Sequence, residues 1–494
     1  MNRVDSLRWG AFVIGTFALC FSNGATANIV AAWIAPALLL GFVMTTGAWL
    51  GFILTVAASS VASFVMFRGV IPITDEEYAI ASVVTGLIGT LPFFAHRLAA
   101  PKLGAALGSL VFPTVAVALS YLLSLGSPFG TWGNDAYVQL PFAPLAQFAS
   151  VAGIWGVSFV VYWFASVAQA LVTERSSSAV IAAATFSAVF VSLVWLGASR
   201  LDGSTVTPPT VRAAALSNPR NMPDRFFEGC TQRTDYACRS AKARARQDVL
   251  FALSEKAAQQ GAKVIVWYEA AAQFDAPDEA EFTARAGAFA RKHGVYLIAG
   301  AARIPLAPDQ LIANTAMGFT PEGVRAFEYL KTVPVPGEPI IPGDGVIPTL
   351  DTPFGRLGVL ICFDADFPAL SRQAAARGVD ILAIPANDWR AITPLHAEMT
   401  RMRAIEGGFS IIRATSNGVS LITDRRGTVL ARNDSFTDPG AITVADVPTR
   451  RLHTVQGTID DLFAAACMLL ATLLLFTGAA VALRARQRRL ATQS

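Results

Sequence analysis

The chain has 494 residues, of which 53% are hydrophobic and only 15% charged, with a mean hydropathy of +0.47. Soluble globular chains carry about 25% charged residues, so this balance excludes an ordinary soluble protein. The net charge of +4 includes no basic cluster in the middle of the chain, so nucleic acid is not an expected partner.

The apolar excess lies before residue 200 and after residue 460. Apolar segments near 9–26, 29–47, 48–67, 79–95, 104–126, 147–172 and 179–199, and an eighth at 461–483, each read as a membrane-crossing helix. The first has a short basic lead, Arg3 and Arg8, and is followed by Ala25–Ala27, a small-residue stretch of the kind that signal peptidases cut; with six more spans behind it, an uncleaved helix is the expectation. The junction at 47/48 is the tightest, and the place where the span count is most exposed to error. Trp9, Trp33, Trp49, Trp155 and Trp195 read as interfacial-belt or packing residues. The loop around Ser127–Gly133 is placed along the membrane surface.

Orientation follows from the positive charges. With the N-terminus inside, Arg97, Lys102, Arg175 and the cluster Arg484, Arg486, Arg488 and Arg489 share one compartment, opposite Asp75–Glu77 and the loop 127–146, which lacks Lys and Arg. Seven crossings then deliver the middle region to the outer face. The expected organisation is a seven-span transmembrane domain over 1–200, an outer domain over 201–458, and a C-terminal membrane helix with a basic tail over 459–494. In a bacterial inner membrane the outer face is the periplasm.

Of the five cysteines, Cys20 and Cys467 fall in apolar segments, whereas Cys230 and Cys238 lie close together in a polar loop where a disulfide is an open alternative. No pair has metal-ligand spacing and the four histidines are scattered, so no metal is expected.

A linker, Asp202–Pro209, leads into the outer domain. Strands are read at Val211–Leu216, Lys263–Trp267, Val295–Gly300, Ala313–Phe319, Val324–Leu330, the run into Cys362, Val379–Ile384, Phe409–Thr415, Val419–Thr423 and Thr428–Ala431. Helices are read at Ala241–Gln260, with Val249, Leu250, Leu253 and Ala257 on one face, and at Ala280–His293, Ala369–Arg377 and His396–Glu406. Strands that alternate with helices and then run as hairpins predict mixed sheets with helices packed outside.

Three of the strand-like runs end in chemistry. Glu269 closes Lys263–Glu269, Lys331 follows Arg325–Leu330, and Cys362 ends Gly358–Ile361 just before Asp364, Asp366 and Pro368. Acyl transfer through a cysteine needs a base, an oxyanion partner and a nucleophile. Glu269 suits general base and acid, Lys331 oxyanion stabilisation and Cys362 attack, with the Phe363 N–H as a second oxyanion donor.

In that order and on those strand ends, Glu269, Lys331 and Cys362 resemble the Glu–Lys–Cys triad of the nitrilase (carbon–nitrogen hydrolase) superfamily. The resemblance implies an αββα sandwich. The segments Asn387–Trp389, His396, Arg401–Glu406 and Arg413–Gly418 are similar to those of the apolipoprotein N-acyltransferase family, as are Ala152–Phe159 and Trp33–Pro36 in the membrane part. It also implies ping-pong acyl transfer without a cofactor. A phospholipid donates the acyl chain, Cys362 carries it as a thioester, and the N-terminal amine of a diacylglyceryl-cysteine lipoprotein accepts it. The enzyme would work in the bilayer as a monomer. Glu338 resembles the second glutamate that supports the lysine, and Trp389 and His396 are candidates for the substrate pocket. Arg413 is expected to pair with Glu406 inside the domain.

The chain departs from the acyltransferase pattern in several places. Asp364 stands where Glu is usual, Phe363 where Tyr is usual and Tyr268 where Pro is common, and the segment from Glu338 to Cys362 is short. Cys362–Pro368 is closer to the Cys–Tyr–Asp–x–x–Phe–Pro of soluble amidases. A membrane-anchored amidase is therefore the alternative, and a non-catalytic scaffold on the same fold a third.

Overall fold

The computed structural model describes residues 3–71, 73–202, 208–219, 222, 227–230, 235–307, 309–438, 440–459 and 461–492. Most of the expected linker, 203–207, falls outside the described residues. The chain divides into two compact units: Met1–Ser127, Thr131–Gly203 and Ile459–Ser494 form one, and Pro128–Gly130 with Ser204–Thr458 the other.

The first unit is helical: α1 (Arg3–Leu19), α2 (Ile29–Thr45), α3 (Ala48–Met66), α4 (Asp75–Gly108), α5 (Val111–Gly126), the single turn α6 (Ala143–Ala146), α7 (Ala149–Thr173) and α8 (Ser177–Asp202). The tight junction at 47/48 is a real break, since Thr46 and Gly47 both leave helical geometry. The fourth helix is longer than read. Thr74 and Glu77 close a capping box that starts it at the acidic residues, and it runs past Pro92 and Pro101 to a break at Gly104, so the next helix begins at Val111 instead of 104. By length and hydropathy, α3, α4, α7, α8 and the C-terminal helix are apolar enough to span a membrane; α2 and α5 are shorter apolar helices.

Within Ser127–Gly133 only Gly130 and Thr131 are buried, and the segment after it turns inward. Thr131, Asn134, Tyr137, Gln139 and Leu140 are buried among the helices, where Asp135 accepts hydrogen bonds from Asn23 Nδ2 at 2.9 Å and the Tyr162 hydroxyl at 2.6 Å. Trp155 is likewise interior, its Nε1 donating to Asp461 Oδ1, while Trp49 and Trp195 are exposed as belt residues would be.

The second unit is two sheets with helices on their outer faces. Its elements are β1 (Thr210–Leu216), α9 (Tyr236–Gln259), β2 (Val264–Val266), β3 (Ala272–Asp275), α10 (Glu279–His293), β4 (Tyr296–Ile304), β5 (Ala313–Phe319), β6 (Arg325–Leu330), β7 (Thr349–Thr352), β8 (Gly355–Val359), α11 (Pro368–Ala376), β9 (Ile381–Ala386), α12 (Leu395–Gly407), β10 (Ser410–Thr415), β11 (Val419–Thr423), β12 (Val429–Asp434) and β13 (Ile442–Pro448). One sheet has the order β13-β1-β2-β4-β5-β6 with β3 alongside β4, and the other β12-β11-β10-β9-β8-β7. The long C-terminal helix, α13 (Leu462–Ala491), belongs to the first unit.

Period-two alternation builds the layers. In β2, Val264 and Val266 face the core between the sheets, with Val359, Ile381, Ala383 and Ile412 opposite, whereas Ile265 faces α9 and α10 together with Leu250, Phe282 and Ala286. This is the expected αββα sandwich. The strands β3, β7 and β13 were not foreseen. Of these β13 matters most, because it pairs antiparallel with the whole of β1, from Thr210↔Pro448 to Leu216↔Ile442. Cys230 and Cys238 form a disulfide with their Cα atoms 5.9 Å apart.

Of the four residues read on one face of α9, Leu250 and Ala257 are fully buried, whereas Val249 is 43% exposed. Leu250→Ala should therefore cost about 3 kcal/mol and lower the thermal midpoint of the detergent-solubilised protein by roughly 6–12 °C. Val249→Ala should leave the midpoint within about 1–2 °C of the wild type.

Candidate active site

Glu269, Lys331 and Cys362 each sit just beyond a strand: Glu269 three residues past β2, Lys331 directly after β6, and Cys362 three residues past β8. Parallel β1–β2–β4 and β8–β9–β10 pairings make those strand ends converge. The sheets are joined at the site, since the Glu269 N–H donates to the Ala386 carbonyl at 3.2 Å.

Lys331 is the hub. Its ammonium is 1% exposed and donates to Glu269 Oε1 at 2.9 Å and to Glu338 Oε2 at 2.8 Å. Burial alone would lower its pKa, but Glu269, Cys362 and Glu338 outweigh that and push it up, so the cation is permanent. Glu269 Oε1 also accepts from Asn314 Nδ2 at 2.7 Å. Glu338 is fixed in turn by the Val335 N–H at 3.0 Å. Glu338, read as a support for the lysine, lies directly against its ammonium.

The approach to Glu269 is sterically tight. A Cβ on Gly300 in β4 would lie 2.0 Å from the Tyr268 carbonyl, so only glycine lets that backbone pass. Tyr268, for which the sequence suggested no role, is fully buried; its hydroxyl accepts from Arg246 at 3.0 Å and donates to Asn218 Oδ1 at 2.9 Å. It pins the residue before the glutamate.

Cys362 opens a 3₁₀ turn, Cys362–Asp366, with φ +48°, and Ala270, directly after Glu269, has φ +52°. Such backbone costs a non-glycine residue about 1–2 kcal/mol and concentrates at functional sites. The thiol lies against the Asn387 carbonyl at 3.7 Å. Burial raises its pKa well above the ordinary value, Glu269 and Asp388 add to the rise, and Lys331 and Arg413 oppose it. The resting nucleophile is thus a thiol, and attack needs a base to take its proton. As the second residue of the turn, Phe363 has an amide with no acceptor inside the turn; its ring meets Phe367 edge-on at 5.3 Å.

Asp364 is fully buried and serves the frame. It accepts from the backbone N–H groups of Thr332, Val333 and Ile361 and from the Tyr329 hydroxyl at 2.8 Å, tying the cysteine turn to the lysine loop. Burial pushes its pKa up to about 6 against those hydrogen bonds.

Two expectations change. His396 does not line an open pocket: it is 1% exposed, its Nδ1 2.7 Å from Asp388 Oδ1 and its Nε2 3.3 Å from Asp366 Oδ1. Arg413 pairs with Asp388 at 2.7 Å and not with Glu406, which instead takes Arg403, its i−3 neighbour, at 2.6 Å. Trp389, at 36% exposure, is the one pocket candidate left at the surface. Asn314, Tyr329, Asp366 and Asp388 had no assigned role. The signal for Asn314 is an amide in an otherwise apolar strand, and for the two aspartates their position beside the cysteine and the tryptophan.

Cys362 Sγ, an Asp388 carboxylate oxygen and an His396 ring nitrogen lie within 4.8 Å of one another. They suit a metal ion poorly, because Arg413 Nη2 sits 2.7 Å from Asp388 Oδ1 and 3.1 Å from His396 Nδ1 and supplies the positive charge.

A buried thiol, ammonium and carboxylate thus meet at converging strand ends of an αββα sandwich. Residues 237–455 match the carbon-nitrogen hydrolase family. The chain is 26% identical over 393 residues to the apolipoprotein N-acyltransferase of Geobacter metallireducens, covering 72% of this chain and 71% of that protein. It is 27% identical over 389 residues to the one of Bradyrhizobium diazoefficiens, covering 69% and 68%. A shorter match, 33% over 146 residues, is to the deaminated glutathione amidase of Mus musculus, of which it spans 45%. Among solved structures, an amidase from Nesterenkonia sp. aligns with a TM-score of 0.42 and 19% identity over 54% of this chain and 99% of that one. Residues 237–455 thus carry a match to the carbon–nitrogen hydrolase family, and the chain as a whole resembles apolipoprotein N-acyltransferases. Its apolar helices and those relatives make it a multi-pass membrane protein.

The His396 environment has a pH consequence. Burial would lower its pKa, but Asp366 and Asp388 push it up to about 9. The folded state thus favours the imidazolium, and the resulting stability is complete below the ordinary value of about 6.5 and lost as pH rises through 9. The thermal midpoint should fall across that window in the wild type, and His396→Gln should flatten that part of the fall.

Proposed function

We propose that the protein is a membrane N-acyltransferase that moves an acyl chain from phospholipid, through Cys362, to the N-terminal amine of a diacylglyceryl-cysteine lipoprotein. The observation that carries this is the Lys331 ammonium held between Glu269 and Glu338 beside a buried thiol, in a chain whose similarity to the acyltransferases extends through its apolar helices.

In the first half-reaction Glu269 takes the Cys362 proton and the thiolate attacks the phospholipid ester carbonyl. Lys331 and the Phe363 N–H receive the oxyanion; removal of one such partner typically costs about 3–4 kcal/mol. Collapse expels the lysophospholipid alkoxide, which takes the proton from Glu269, and leaves a thioester. In the second, the acceptor amine attacks the thioester, Glu269 takes the amine proton, and the Cys362 thiolate leaves and is reprotonated. Asn314 and Glu338 hold the base and the cation, and Asp364 holds the cysteine turn to the lysine loop. Trp389 is assigned to the acyl pocket wall and His396 to a place behind the nucleophile.

A multi-pass anchor suits substrates that never leave a bilayer. The distribution of basic residues and an outer region with a disulfide support a catalytic domain in the periplasm of a bacterial inner membrane. Eight spans, seven before the catalytic domain and one after, complete this topology, with α1, α2 and α5 as the short members.

The amidase-like run Cys362–Pro368 and the local match to the mouse amidase favour a second reading, in which water resolves the thioester of a periplasmic amide substrate. Purified protein given phospholipid and a diacylglyceryl-cysteine peptide separates the two. Transfer yields N-acylated peptide and lysophospholipid in equal amounts, and Lys331→Met or Glu269→Gln lowers the rate at least about 100-fold. Release of free fatty acid with no acylated peptide would support hydrolysis instead.

A further inference from the structure

The proposed reaction leaves one buried ionisable group without a task. Glu269 handles every proton and Lys331 meets the oxyanion, yet His396 is fully enclosed directly behind the nucleophile. A charged imidazole in such a place needs compensating partners, and its partners here are particular. Nε2 faces Asp366, the last residue of the cysteine turn, at 3.3 Å. Nδ1 donates to Asp388 at 2.7 Å, and Asp388 follows Asn387, whose carbonyl receives the thiol. His396 therefore connects the far end of the turn that carries Sγ to the segment against which Sγ rests.

We propose that His396 is a positioning residue for Cys362: it ties the nucleophile's strained turn, through Asp366, to the loop after β9 and balances Asp388, the carboxylate beside the thiol. This rests on Cys362 being the nucleophile.

The charged groups facing the thiol come from every element around it. Glu269 follows β2, Lys331 follows β6, Asp388 follows β9, Arg413 lies in β10 and His396 in α12, whereas of the carboxylates on the cysteine's own turn Asp364 meets the lysine loop and Asp366 meets His396. Without the imidazolium, Asp388, whose carboxylate lies within 4.8 Å of Sγ, loses one of the two cationic groups that hold it and keeps Arg413. A thiolate beside an uncompensated carboxylate is disfavoured. The turn, which starts at φ +48°, also loses the tie at its far end.

The rate of alkylation of Cys362 by iodoacetamide, followed by peptide mass across pH in the detergent-solubilised full chain, tests this without any acyl substrate. The wild type sets the reference profile. His396→Gln should shift the profile to higher pH by about one unit, a tenfold slower reaction at a fixed pH below the midpoint. His396→Gln combined with Asp388→Asn should bring it most of the way back, and Asp388→Asn alone should shift it to lower pH. The last variant keeps the test open if His396→Gln does not fold. A purely structural histidine would change stability but not the direction of these shifts. An unchanged profile in His396→Gln, a shift that persists in the double variant, or no downward shift in Asp388→Asn overturns the proposal. Failure of the acyl-transfer reading shows separately, as a wild-type Cys362 that alkylates normally but forms no acyl adduct with phospholipid.

Discussion

The site depends on one buried ammonium. Lys331 has almost no contact with solvent, and a charge in that position survives only because Glu269 and Glu338 lie within 3 Å of it. That requirement reaches outward. Glu269 must come off β2 at a particular angle, which is why β4 carries Gly300 where any Cβ would strike the Tyr268 carbonyl. Glu338 must curl back from its loop, which the Val335 N–H enforces. The thiol then shares a nearly buried site with a fixed cation and a carboxylate able to take its proton.

The frame around that cation is as polar as the site itself. Asp364 gathers three backbone N–H groups and the Tyr329 hydroxyl, so hydrogen bonds tie the lysine loop to the cysteine turn. Behind the turn, Asp366, His396, Asp388 and Arg413 form a second charged layer. A buried network of this kind is costly if any member is left unpaired, and correspondingly specific when all are paired. It suits a site whose nucleophile sits on strained backbone.

How much of this could be read from the residues follows a physical line. Glu269, Lys331 and Cys362 were legible because each interrupts or ends an apolar strand, a local signal. The αββα layers were legible from alternating strands and helices. What escaped was long-range. Arg413 was assigned to Glu406, but helical spacing gives Glu406 to Arg403, and the true partner Asp388 lies on another strand end. The strand β13 ends in a proline and looks like a tail until β1 is there to pair with it. The inward turn around Asp135 has no local signal because its partners, Asn23 and Tyr162, are distant in sequence. The helix boundaries near 104 moved because Gly104 breaks a helix from within, where hydropathy sees only continuity.

The central claim is that Cys362 carries the acyl group. It is tested most directly by incubating the protein with phospholipid alone and measuring the mass of the Cys362 peptide. The account predicts a hydroxylamine-sensitive adduct of one acyl chain that disappears, with a matching gain on the acceptor, when a diacylglyceryl-cysteine peptide is added. A Cys362→Ala protein that still acylates the acceptor would contradict it.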